Sequence, residues 1–107
     1  MYRGYPVSVL IIGRGRSIVD KAVATLRENG FEAAGVTADE DAVRLLAAGG
    51  VGALVIGGGV GPASRERLAG LARPAGAEVI HGRVGRGGIR RYVRRHLIPE
   101  LRRLRSS

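Results

Sequence analysis

Two short apolar runs, each ending abruptly in glycine, constrain this chain more than any other feature. Val7 to Ile12 runs into Gly13-Arg14-Gly15-Arg16-Ser17, and Ala53 to Ile56 runs into Gly57-Gly58-Gly59-Val60-Gly61. A short, β-branched and nearly continuous apolar run is the pattern of a strand buried on both faces, as parallel strands in α/β proteins are. In an open sheet of such strands both glycine segments stand at the carboxyl edge, where these folds bind ligands or do chemistry. Neither segment contains a carboxylate, a thiol or a histidine. The position of a site is present without catalytic equipment. That points to a binding or signalling module rather than an enzyme, with no catalytic residue, metal or cofactor assigned.

The rest of the chain alternates between helix and strand patterns. Ile18, Val19, Ala22, Val23 and Leu26 recur at helical period, with Ser17 and Asp20 at capping-box spacing and Asn29-Gly30 as the stop. Phe31 to Val36 reads as a second, weaker strand. Thr37 and Glu40 repeat the capping spacing before a stripe of Ala42, Val43, Leu45 and Leu46, which ends at Gly49-Gly50. Val51 to Ile56 is the third strand, and Pro62 suits the first turn of a helix carrying Leu68, Ala69, Leu71 and Ala72. Pro74 and Gly76 close that helix, and Ala77 to Ile80 gives a fourth strand. A glycine- and arginine-rich connection, Gly82 to Gly88, leads to a last helix from about Ile89 to Leu104. Its residues Ile89, Tyr92, Val93, Leu97, Leu101 and Leu104 share one side, with Arg91, Arg94, Arg95, Arg102 and Arg105 mainly opposite. Pro99 predicts a kink near Arg95.

Strands alternating with helices through short connections imply right-handed crossovers. The expected fold is a three-layer α/β/α domain with a mainly parallel four-stranded sheet of order 2-1-3-4 and a long, arginine-rich amphipathic C-terminal helix. At 107 residues and 45% apolar content the whole chain reads as one domain. Apolar stretches stay far short of the ~20 residues that span a bilayer, the N-terminus lacks the order of a secretory signal, and there is no cysteine, so the expectation is a cytoplasmic protein without membrane contact.

The net charge of +9 is concentrated at one end. Residues 1–81 carry nine basic and eight acidic groups, whereas residues 82–107 carry nine arginines against the single acid Glu100. The basicity belongs to a terminal segment that can meet an anionic partner. Closely spaced arginines suit nucleic-acid phosphates, but four aromatics in the whole chain leave little for base stacking. The alternative is a solvated face on a helix whose apolar stripe packs on the domain or on a second subunit. A fourth strand with no neighbour in sequence leaves an edge that needs cover, so homodimerisation through the C-terminal helix or the fourth-strand edge is expected.

Over about residues 7–81 this order resembles the response-regulator receiver domain. The resemblance implies an acidic pair just after the first strand, where Gly13 and Arg14 stand. It implies a phosphoacceptor aspartate after the third strand, where Gly57 stands, and a hydroxyl residue near His81 or Gly82. Carboxylates at those positions would hold a divalent cation that neutralises a transferring phosphoryl group. Their replacement implies a receiver-like or flavodoxin-like regulatory module that is not phosphorylated.

The glycine turns have a second reading, because glycine lets a phosphate approach backbone N–H groups and a following helix N-terminus favours anions. On that reading Gly13, Arg14, Gly15, Arg16 and Ser17 face Gly57, Gly58, Gly59 and Gly61 across a cleft for a nucleotide or another phosphate-bearing ligand. The segment departs from the dinucleotide fingerprint at its third glycine, where Ile18 stands, and Thr37 rather than an acid ends the second strand. His81 and His96 have no partner evident in sequence and are assigned structural roles. Asp39, Glu40 and Asp41 are assigned to the favourable N-terminus of a helix rather than to a metal.

Overall fold

The computed structural model describes residues 8–83 and 87–106. Val7, the middle of the 82–88 connection and the side chain of Arg105 lie outside the described residues. Four strands and their helices alternate strictly: β1 (Val9–Ile12), α1 (Arg16–Glu28), β2 (Ala33–Val36), α2 (Asp39–Ala48), β3 (Ala53–Ile56), α3 (Pro62–Ala72) and β4 (Glu78–His81). A C-terminal helical segment then runs through α4 (Gly88–Tyr92), a π-helical turn (Val93–Leu97) and α5 (Ile98–Ser106). The sheet is all parallel with order β2-β1-β3-β4, and Val9 pairs with both Ala33 and Ala53.

The central pair β1 and β3 is buried at every residue, as its unbroken apolar runs require. Successive side chains point to opposite faces, so the sheet builds two cores. Leu10, Ile12, Leu54 and Ile56 pack with Ala42, Leu46, Leu68 and Ala72 of α2 and α3. Val9, Ile11, Ala53 and Val55 pack with Val19, Val23 and Leu26 of α1 and with Val93, Leu97, Ile98 and Leu101 of the C-terminal segment. Burying each of those last four side chains is worth about 1.5–3 kcal/mol as an upper estimate. The exposed ion pairs from Arg90 and Arg94 to Glu28, at 3.9 and 4.0 Å, contribute about 1 kcal/mol or less each. The apolar stripe, and not the charges, seats this segment.

The expected kink near Arg95 takes the form of the π turn. Pro99 has no N–H to offer the Arg95 carbonyl, and one residue earlier the Ile98 N–H bonds to the carbonyl of Val93, five residues back. A π turn inserts one residue and rotates the downstream helix by about 100°. That rotation carries Ile98, which has no place in the 3.6-residue stripe, into the core at 3% exposure.

The helix starts differ from the capping-box expectation. α1 and α2 begin after Gly15 and Ala38, neither with a side-chain cap. Ser17 falls inside the first turn, Asp20 accepts hydrogen bonds from Arg16, and the carbonyl of Thr37 accepts one from Arg14. At α1 an arginine side chain has taken the Asp20 carboxylate that the capping box would have used. Strand limits also shift: Phe31 is buried outside β2, β3 begins at Ala53 rather than Val51, and β4 extends to His81.

The weakness of the second strand in sequence has a packing cause. A Cβ on Gly35 would lie 2.3 Å from Cγ1 of Val19 and 2.9 Å from Cγ2 of Val23, so α1 lies directly on this strand. The outward edge of β2 is covered as well, since Arg27 donates to the Ala33 carbonyl and Arg16 to that of Gly35. Alanine is no worse than glycine as a strand former, yet Gly35→Ala is expected to cost about 1–3 kcal/mol through overpacking. Urea unfolding of the variant checks this, and an unchanged or raised midpoint would show that α1 is not seated on β2.

Candidate functional site

Parallel pairing of β1 with β3 brings the two glycine turns together. The Gly57 N–H donates to the Ile12 carbonyl at 2.8 Å. A Cβ at Gly57 would stand 3.3 Å from that oxygen and 3.4 Å from Cα of Gly13, so the two backbones meet where a side chain would crowd them. Gly59 lies against the Arg14 side chain, 3.8 Å from its Cβ to the position a glycine Cβ would take. Gly13 is buried, Gly15 and Gly61 form the N-caps of α1 and α3, and Ser17 and Gly58 are exposed.

The arginines of the first turn are already engaged. Arg14 donates to the Thr37 carbonyl at 2.7 Å, to Asp39 Oδ1 at 2.9 Å and to Ser64 Oγ at 3.3 Å. The Ser64 hydroxyl in turn donates to the other carboxylate oxygen of Asp39. One guanidinium thereby ties the β1–α1 turn to the starts of α2 and α3. Arg16 pairs with Asp20 at 2.9 Å and reaches the Gly35 carbonyl at 3.3 Å. The charges of Arg14 and Arg16 are each paired with a carboxylate of the protein.

The second turn is clasped by Arg65 of α3, which donates from Nε to the Val60 carbonyl at 2.9 Å and from Nη2 to the Gly57 carbonyl. Its Nη1 meets Nδ1 of His81 at 2.6 Å. A guanidinium only donates, so Nδ1 is the acceptor and β4 is joined to the clasp. Arg65, Ser64 and the pairing role of Asp39 are the members that sequence reading missed. Ser64 has no sequence signal. Arg65 had one, because it stands one helical turn after the N-cap Gly61 and below a loop whose carbonyls no glycine side chain can satisfy.

Beneath the glycine turns lies a cavity of about 370 Å³ between the sheet, α1 and the C-terminal segment. Ile11, Val55, Ile18, Val19, Ala22, Ile89, Val93 and Leu97 give it an apolar wall. Glycines 13, 15, 57, 58, 59 and 82 line it as well, with Arg14, Arg83 and Tyr92 as its polar side chains. Burial of the half-enclosed Tyr92 ring raises its pKa above the ordinary phenol range, against the opposing effect of the Arg83 backbone. Tyr92 stacks on His96 with ring centroids 5.8 Å apart.

Among the described residues no group of three or more His, Asp or Glu side chains is placed to share a metal ion, and no helix is long and apolar enough to cross a membrane. Comparison with protein-family models, with curated proteins and with solved structures finds no match.

The Asp39 carboxyl is held below its ordinary pKa, first by the Ser64 hydroxyl and, against an opposing desolvation effect, by the hydrogen bond and charge of Arg14. A depressed carboxyl pKa stabilises the fold fully above the unfolded value of 3.8, and the contribution is lost as pH falls through the lower folded value. Asp39→Asn is therefore expected to lower stability at pH 7 and to flatten the loss of stability below pH ~4. Urea melts at several pH values check this, and an unaltered pH profile would contradict the network.

Proposed function

We propose that this chain is a receiver-like regulatory module from which phosphotransfer chemistry has been removed, acting in the cytoplasm as a non-catalytic, self-associating interaction domain. The observation that carries the reading is Arg14. At the strand end where a phosphotransfer pocket needs acids to hold a divalent cation, a guanidinium stands instead, and it neutralises the nearby carboxylate of Asp39 at 2.9 Å. Gly57 leaves no side chain to accept a phosphoryl group. The cytoplasmic assignment fits a chain that has no cysteine and so no disulfide to gain from an oxidising compartment. Incubation with acetyl phosphate and magnesium is expected to leave the intact mass unchanged, and a hydroxylamine-labile adduct would overturn the reading.

For self-association, the two surfaces expected from sequence are not equivalent. The apolar stripe of the C-terminal segment is spent on the protein's own core, which leaves the β4 edge. Glu78 and Gly82 donate to the Gly52 and Ile56 carbonyls of the neighbouring chain segment, so the backbone groups of Val79 and His81 point outward. They bond to no described residue, whereas the β2 edge is covered by Arg16 and Arg27. Antiparallel pairing of two copies about a twofold axis sets their Ile80 residues side by side and extends the sheet. Val79→Pro removes an outward N–H and no hydrogen bond of the monomer. Native mass spectrometry is expected to show a dimer for the parent chain and a monomer for the variant, and a dimer that survives the substitution would exclude this edge.

A second reading, sequence-nonspecific nucleic-acid binding, is favoured by the exposure of Arg90, Arg91, Arg94, Arg95, Arg102 and Arg103 along the C-terminal segment. With the apolar stripe buried, this face has charge and nothing to insert into a bilayer. Glu28 and Glu100 offset part of it. If about four phosphates are neutralised, duplex DNA affinity should fall about 100-fold between roughly 50 and 200 mM salt. Salt-independent binding, or none at low salt, would reject the reading.

A further inference from the structure

The cavity under the glycine turns is built for more than filling space, and it is independent of the β4 edge and of the missing phosphotransfer chemistry. At about 370 Å³ it falls within the range of small-molecule sites. It has room for roughly a dozen atoms, at the ~30 Å³ that a water molecule occupies in the liquid. Its wall is aliphatic, and no acidic residue lines it among the described residues.

The Tyr92 hydroxyl stands beside Gly82, 3.6 Å from the position a Cβ there would take, and no described residue accepts its proton. The Arg83 guanidinium is exposed at the same rim and makes no ion pair with a described residue. Arg14 and Arg16, the cations nearest to hand for an anion at the first glycine turn, are committed to Asp39 and Asp20. The side-chain donors left at the cavity end are thus one phenol proton and one guanidinium, a pair suited to a single carboxylate.

We propose that this cavity binds a small amphiphilic carboxylate, its apolar body of about ten non-hydrogen atoms against the accessible side chains of Ile18, Ile89 and Tyr92 and its carboxylate at the Tyr92 hydroxyl and Arg83. The apolar body supplies affinity through the wall and the head group supplies orientation. A neutral head would leave Arg83 without a counter-charge, and a cationic head would meet it directly.

Isothermal titration calorimetry with octanoate, octanamide and octylammonium on the full chain tests this. Octanoate is expected to bind one to one, the amide about tenfold more weakly, and the ammonium not measurably, since the charge-assisted hydrogen bonds are lost. Tyr92→Phe should weaken octanoate about fivefold to tenfold without unfolding the protein. Absence of a one-to-one octanoate isotherm, equal affinity for acid and amide, or undiminished binding by Tyr92→Phe would each overturn the proposal.

Discussion

Everything in this molecule is arranged around the parallel pairing of β1 and β3. Both strands are apolar on both faces and buried throughout, so neither can be stable without a layer of helices on each side of the sheet. Their pairing has a second effect at the carboxyl edge. It puts the Gly57 N–H 2.8 Å from the Ile12 carbonyl and so obliges the two glycine turns to run side by side. At Gly57 the absence of a side chain lets the two backbones approach without crowding.

From that juxtaposition comes the electrostatic character of the edge. Ligand sites in open α/β sheets form where loops diverge from the strand ends, and here the diverging loops are drawn together by arginine. Arg14 binds the starts of α2 and α3 through Asp39 and Ser64, and Arg65 binds the second turn to His81. These residues spend their hydrogen bonds on protein acceptors. What remains open is the apolar space below, walled by α1 and by a C-terminal segment that the π turn at Val93–Leu97 rotates into the core. The same segment thus supplies both the second core and one side of the cavity.

Much of the architecture was legible in the residues, and the reason is physical. Strands buried on two faces and helices buried on one have different apolar periods, so β1, β3, α1 and α2 announced themselves, and short connections restricted the strand order to the one observed. The unread parts each involve a contact that periodicity does not encode. Gly35 looked like a weak strand residue because its packing against Val19 and Val23 is a matter of interlayer distance. Ile98 lay off the helical stripe until a π turn added a residue. Arg14 and Asp39 are 25 positions apart and Arg14 and Ser64 are 50 apart, so their network exists only once the fold has formed. The adjacency of the glycine turns is implied by two parallel neighbouring strands; the arginine clasps that hold them are not.

The central claim is that the carboxyl edge is closed to divalent-cation chemistry because Arg14 holds the Asp39 carboxylate. A magnesium titration monitored through the amide resonances of Gly13, Arg14, Asp39 and Gly57 measures this most directly. The account predicts no saturable, localised shift at these residues up to millimolar cation. A saturable shift confined to them would show that the edge still binds a metal, and would contradict it.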